Sequence, residues 1–133
     1  FAVLFGILDR KLIGIALGGG AGWAVYLLCT ANGQSMFAGL FVASLFIAAF
    51  SEILARVLKA PVILLLVPML IPEIPGGDLY YAMYDLVQRH FTDFGNSANK
   101  VLMEAGAIAL GIILASYISK FILNIQLHLV RKT

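Results

Sequence analysis

The sequence predicts an all-α fold: a polytopic transmembrane helix bundle with a proline-broken short helix and an interfacial amphipathic helix. Three observations predict it. Of the 133 residues, 62% are hydrophobic and only 12% are charged, whereas a soluble domain is roughly 45–50% apolar and about 25% charged. A chain this short keeps much of its surface exposed and cannot hide the surplus from water. Several apolar runs approach or exceed the ~20 residues that span a bilayer. Finally, all four prolines crowd into positions 61–75, where each removes a backbone donor and clashes with the preceding turn.

The elements follow in order, within one transmembrane domain over residues 1–133. Residues 1–8 are apolar but too short to cross, and are expected to end a further span that starts before Phe1. Residues 12–29 form a span between Asp9-Arg10-Lys11 and Thr30-Ala31-Asn32-Gly33. Residues 36–58 form a second, polar only near its end at Glu52 and Arg56. Residues 60–72 are short and broken, because Pro61, Pro68 and Pro72 interrupt them. Irregular backbone at membrane depth survives only where protein or a water-filled cavity satisfies it. Residues 78–94 read as an amphipathic helix, with Leu79, Met83, Leu86 and Val87 opposite Asp85, Gln88 and Arg89. Its Tyr80, Tyr81, Tyr84 and Phe91 suit the headgroup level. Residues 98–123 form the last span.

The net charge of +2 is small, but its distribution is informative. If residues 60–71 cross, then Arg10, Lys11, Arg56, Lys59, Lys120, Arg131 and Lys132 share one side. The acid-rich 73–97 region, with Glu73, Asp78, Asp85 and Asp93, takes the other. The basic side is expected to be cytoplasmic, in a multi-pass inner (plasma) membrane protein; a re-entrant hairpin at 60–71 is the alternative. A basic stripe outside the membrane ends is missing, which disfavours nucleic acid as a partner. Cys29 stands alone, without a disulfide partner or a metal-binding pattern. The sequence carries no Walker, HExxH or GxSxG motif, so an enzyme is disfavoured and no cofactor or metal is expected.

Small residues recur every fourth position at Gly14, Gly18 and Gly22, and again at Ala107, Gly111, Ala115 and Ser119. In lipid such stripes mark close helix contacts. They serve packing within one subunit, docking of a partner copy, or sliding.

Ionisable groups inside a membrane are costly and are candidates for function. Glu52 and Arg56 share a helical face with Ser44 and Ala48. They form an internal ion pair with Arg56 snorkelling, or Glu52 carries a proton. Glu104 is expected to pair locally with Lys100. Pro72-Glu73-Ile74-Pro75-Gly76-Gly77 leads into a helix whose free N–H groups and positive dipole end suit a carboxylate. Discontinuous transporter helices use this device. Pro72, Pro75, Gly76, Gly77 and Tyr80 are therefore the candidate substrate-binding residues, and Glu52 and Arg56 the candidate coupling pair.

Several motifs are familiar. Ser51-Glu52-Ile53-Leu54-Ala55-Arg56 with Leu58-Lys59-Ala60-Pro61 resembles the threonine/serine exporter family, as do Val67-Pro68, Ile71-Pro72 and Pro75-Gly76-Gly77 with Tyr80-Tyr81-Ala82-Met83. The likeness is to the C-terminal membrane domain of those exporters and to the YjjB-like small subunit, and covers nearly the whole chain. Glu73 departs from the apolar residues usual in that stretch. The resemblance implies proton-driven export of small carboxylates, either threonine and serine or a dicarboxylate such as succinate. It implies a larger membrane subunit carrying the other exporter domain. A scaffold subunit and a passive pore are the alternatives, and the small-residue stripes leave room for a homo-oligomer.

Overall fold

The computed structural model describes residues 10–130. The span expected to end at residue 8, and the basic pair Arg131 and Lys132, lie outside the described residues. Five α-helices follow one another: α1 Arg10–Ala31, α2 Met36–Leu58, α3 Val62–Leu70, α4 Gly76–Val87 and α5 Phe91–Val130, with a 3-10 turn at Ile71–Glu73 between α3 and α4.

Local chemistry sets most boundaries. The Ser35 hydroxyl accepts from the Ala38 N–H at 3.2 Å and caps α2. At its other end Lys59 adopts a left-handed conformation (φ 49°), and the Ala60 N–H donates to Ala55 O at 2.9 Å. Pro61 follows, and a proline one or two residues beyond such a cap cannot continue the helix. Pro68 lies inside α3.

The helix expected over 78–94 ends earlier, at Val87. Arg89 turns the chain with φ 62°, and Phe91 already belongs to α5. No glycine or proline marks this turn. Packing enforces it, because α4 folds back along α5 and brings Asp78 to Lys100 and Asp85 to Ser97. The last helix therefore starts at Phe91 rather than at 98. Its 40 residues make it about 60 Å long at 1.5 Å per residue.

α2 is the hub, packed against α1, α3 and α5, while α4 lies on α5. The register is set by glycines. An added Cβ at Gly14 would meet Leu54 at 2.7 Å, and at Gly18 it would meet Phe50 at 2.9 Å and Met69 Sδ at 2.6 Å. One at Gly22 would overlap Ile47. α1 and α2 thus run antiparallel with the stripe turned inward, and α3 runs beside α1. On the other flank a Cβ at Gly111 would overlap Ser44 Oγ and approach Phe41 O at 2.7 Å. Since Ser119 meets Arg56 further along, α5 runs parallel to α2. Both small-residue stripes are consumed by packing inside this chain.

These directions set the path of α3 and α4. α3 starts where α1 starts and advances with it, Met69 beside Gly18 and Gly19, then Glu73 beside Gly22. It goes on to Asp78, which meets α5 near that helix's first turns. Within the bundle, α3 and α4 thus lead from the end where α1 starts towards the opposite end. Lys11, Arg56, Lys59 and Lys120 therefore share one end, and Asp78, Asp85 and Asp93 the other. Among the described residues, three helices are long and apolar enough to span a membrane, and the pair Val62–Glu73 and Gly76–Val87, bent by 62°, makes a fourth candidate.

The core is one cluster around Ile15, Ile47, Ala48, Leu65, Met69 and Ala115. Outside it Ile13, Leu17, Leu28, Val57, Leu102, Ile113 and Phe121 are all exposed. Burying one such side chain is worth about 1.5–3 kcal/mol in water, so a ring of them left bare requires lipid. The chain is a multi-pass membrane protein in contact with the bilayer.

Gly111→Leu is expected to destabilise the detergent-solubilised chain by about 1–3 kcal/mol or more through overpacking. Gly20→Ala, with open space at its Cβ, is expected to be neutral or mildly stabilising through helix propensity. Thermal unfolding followed by circular dichroism compares the two.

Candidate functional site

Polar chemistry inside this apolar chain collects in three places: the break between α3 and α4, and a cleft at each end of the α2–α5 seam.

The break is real and open. Its turn is held by Ile74 N–H to Ile71 O at 3.3 Å and Gly76 N–H to Ile74 O at 2.7 Å, and the first bond into α4 is Leu79 N–H to Pro75 O at 3.0 Å. Among the described residues, the Gly77 and Asp78 N–H groups have no backbone acceptor. Nothing lies within 4 Å of a Cβ added at Gly76 or Gly77. These glycines are not there to admit a packing neighbour; they leave the backbone uncovered. Pro72 is exposed, Pro75 half-buried, and Tyr80 is exposed in a stack with Tyr84, ring centroids 6.5 Å apart.

Glu73, in the same break, is only 3% exposed. It lies within, not in the loop beyond the membrane end to which its sequence neighbours assign it. Its Oε1 comes 3.2 Å from where a Gly22 Cβ would stand, and neither carboxylate oxygen has a hydrogen-bond partner. Gly22 falls near the middle of α1, about 18 Å from its first residue and about 14 Å from its last at 1.5 Å per residue. The carboxyl therefore sits near half-depth. The sequence signal for it was the one acid inside a proline-broken apolar run, masked by the apparent loop that follows.

The first cleft, about 320 Å³, lies at the basic end between α2 and α5. Glu52, Arg56, Ala115 and Ser119 line it. Glu52 and Arg56 pair at 3.7 Å, and the Arg56 guanidinium also donates to Ser119 Oγ at 2.6 Å. The two side chains thus pair within α2, and the separate hydrogen bond from Arg56 to Ser119 reaches across to α5.

The second cleft, about 340 Å³, lies at the opposite end. Ser35, Met36 and Phe37 face Asn96, Asn99, Lys100 and Glu104 across it. Lys100 pairs with Asp78 at 2.8 Å and not with Glu104. The expected local pair fails because α4 delivers a carboxylate from outside the helix. Glu104 is left 2% exposed with both oxygens unpartnered. Its position follows from the small-residue stripe: Glu104, Ala107, Gly111 and Ala115 share the face of α5 that packs inward.

The structure keeps Pro72, Pro75, Gly76, Gly77 and Tyr80 together, but sets them near the second cleft and away from Glu52 and Arg56. Glu52 lies about 24 Å along α2 from Met36. Among the described residues, no cluster of three or more His, Cys, Asp or Glu side chains is arranged to hold a metal ion.

Comparison with known families bears on this arrangement. The family model described as "Threonine/Serine exporter, ThrE" matches residues 1–118. The chain belongs to the threonine/serine exporter family. No curated protein and no solved structure matches it. Membership makes this an exporter-type membrane transporter, and the two clefts and the broken helix are features of an exporter chain.

A carboxyl buried in this exporter without a donor costs stability, roughly 1–3 kcal/mol or more for an unsatisfied group. Glu73→Met, close in size and apolar, is expected to raise the midpoint of thermal unfolding. A lowered midpoint would show instead that the carboxyl has a partner.

Proposed function

We propose that this chain is the membrane subunit of a secondary exporter of small carboxylate metabolites, threonine and serine or a dicarboxylate such as succinate. Export is driven by protons across the inner (plasma) membrane. A larger membrane subunit supplies the other exporter domain. The observation that carries the reading is the α3–α4 break, in a chain of the threonine/serine exporter family.

In this reading the substrate carboxylate meets the N–H groups of Gly77 and Asp78 at the start of α4, where the helix dipole is positive. Pro72 and Pro75 hold the break open, Gly76 and Gly77 keep side chains off the amides, and Tyr80 flanks the approach. Glu52 couples protonation to movement. While ionised it holds Arg56, which in turn holds Ser119 on α5. Protonating Glu52 removes its attraction for Arg56 and loosens the α2–α5 seam at the basic end. What supports this role is that Arg56, paired with Glu52 on its own helix, reaches Ser119 of α5 beside a cleft.

Efflux from vesicles containing the chain and its partner subunit tests the reading. Gly77→Leu places a side chain over the amides without a steric conflict, since the space there is open. Gly77→Leu and Glu52→Gln are each expected to slow export of the carboxylate substrate roughly tenfold or more, the loss of a charge-assisted hydrogen bond. If both variants export at the parental rate, the site assignment is wrong. If the parent complex shows no proton-gradient-dependent flux of any carboxylate, the chain is a scaffold or a pore.

A further inference from the structure

The cleft at the basic end has a shape that the proposed transport path does not use. Its α2 wall runs from Leu45 to Arg56, about 16 Å at 1.5 Å per residue. That is half of the ~30 Å hydrocarbon core of a bilayer, the depth of one leaflet. Its inner end stops near the Gly111–Ser44 contact, where the seam closes. Ala49 and Ile53 form one side, and Ile118 and Ile122 the other. All four are exposed rather than covered by another helix of this chain. The hollow is therefore a groove that opens sideways, towards lipid.

The polar groups of the groove gather at its outer end. α2 is 23 residues long, about 35 Å, so its last turn stands at the level of the headgroups. Arg56 lies in that turn with its side chain 47% exposed. Its contacts to Ser119 and Glu52 both use Nη2. A guanidinium carries five N–H donors, so donors remain for a further oxygen. Lys59 caps α2 and Lys120 follows Ser119 on α5, both exposed. Of the acids among the described residues, only Glu52 stands at this end. It lies one turn deeper, its side chain 15% exposed and turned to Arg56. The rim therefore keeps an excess of positive charge.

A positive rim above an apolar trough one leaflet deep fits an amphiphile with an anionic head. We propose that this groove binds an anionic phospholipid from the leaflet at the basic end. Its phosphate meets Arg56, with Lys59 and Lys120 adding charge, and one acyl chain lies along Ala49, Ile53, Ile118 and Ile122. Arginine takes a phosphate through two parallel N–H bonds, and basic pockets between transmembrane helices suit anionic head groups. A water-soluble anion would satisfy the rim and leave the trough bare. A zwitterionic lipid would fill the trough but bring its own ammonium against the rim. The bound chain completes the surface of the bundle at the mouth where α5 parts from α2. The proposal stands apart from the exporter reading, because it is measured by lipid retained and not by flux.

Native mass spectrometry of the full chain, purified with any membrane subunit that accompanies it and delipidated in detergent, tests it. The probes are phosphatidylglycerol and phosphatidylethanolamine with the same acyl chains. The parent is expected to hold phosphatidylglycerol roughly tenfold more tightly, the effect of a few basic groups on one added negative charge. Arg56→Gln combined with Lys120→Gln is expected to erase that preference. Ala49→Phe fills the exposed trough without touching the rim, and is expected to weaken phosphatidylglycerol roughly tenfold through lost apolar contact. Equal retention of the two lipids by the parent overturns the proposal. So does an unchanged preference in the double variant, or unchanged retention in Ala49→Phe. If a variant fails to fold, competition on the parent decides. Glycerophosphoglycerol, the same head without chains, overturns the proposal if it displaces phosphatidylglycerol at equal concentration and upholds it if it displaces none. Photo-crosslinking from position 49 in native membranes separates a lipid from a protein occupant: capture of a partner subunit in place of lipid overturns the proposal.

Discussion

The close approach of helix backbones at glycine holds this molecule together. Lipid tails are as apolar as leucine, so helices in a bilayer gain little by hiding apolar surface from one another and associate by van der Waals contact. Gly14, Gly18 and Gly22 seat Leu54, Phe50 and Ile47 of α2 directly on the α1 backbone, and Gly111 lets α5 press on the α2 main chain at Phe41 and Leu45. α2 is gripped from two sides by surfaces that have no side chains to yield.

The break between α3 and α4 is a consequence of this grip. α3 is short and carries a proline, so it cannot hold its place by its own hydrogen bonds. It holds because Met69 fits against Gly18 and Gly19, which bring the α1 backbone close to its own. The next turn carries Glu73 into the space that Gly22 leaves. A larger residue on α1 at either level would displace α3, and with it the start of α4. The smallest residues of α1 therefore set the depth at which the chain interrupts its helix, and where its free amides stand.

Much of this was legible in the sequence, for reasons that differ from element to element. α1 and α2 follow apolar runs with local caps, so they appear where the runs do. The gathering of Lys11, Arg56, Lys59 and Lys120 at one end was legible from the lysines and arginines, and the contact of Glu52 with Arg56 from their four-residue spacing, because both depend on position along single helices. The turn at Arg89 was not legible, since no residue there favours it and the packing of α4 on α5 supplies the reason. Nor was the choice of Lys100 between Glu104, four residues away on its own helix, and Asp78, twenty-two residues upstream. Glu73 looked like the first residue of a loop; that it points into the core depends on a glycine fifty-one residues before it. What was missed were contacts made between elements, while the chemistry of each element alone was readable.

α5 touches α2 most closely at Gly111 and gapes from it at both ends, around Glu104 and around Ser119. The seam is shut between the two mouths, where Gly111 lies on Ser44 and on the main chain at Phe41 and Leu45, and where Ala107 and Ala115 are buried on either side. Whatever enters one mouth meets helix backbone before it reaches the other, so the two hollows are separate compartments divided by a waist that one missing side chain makes narrow.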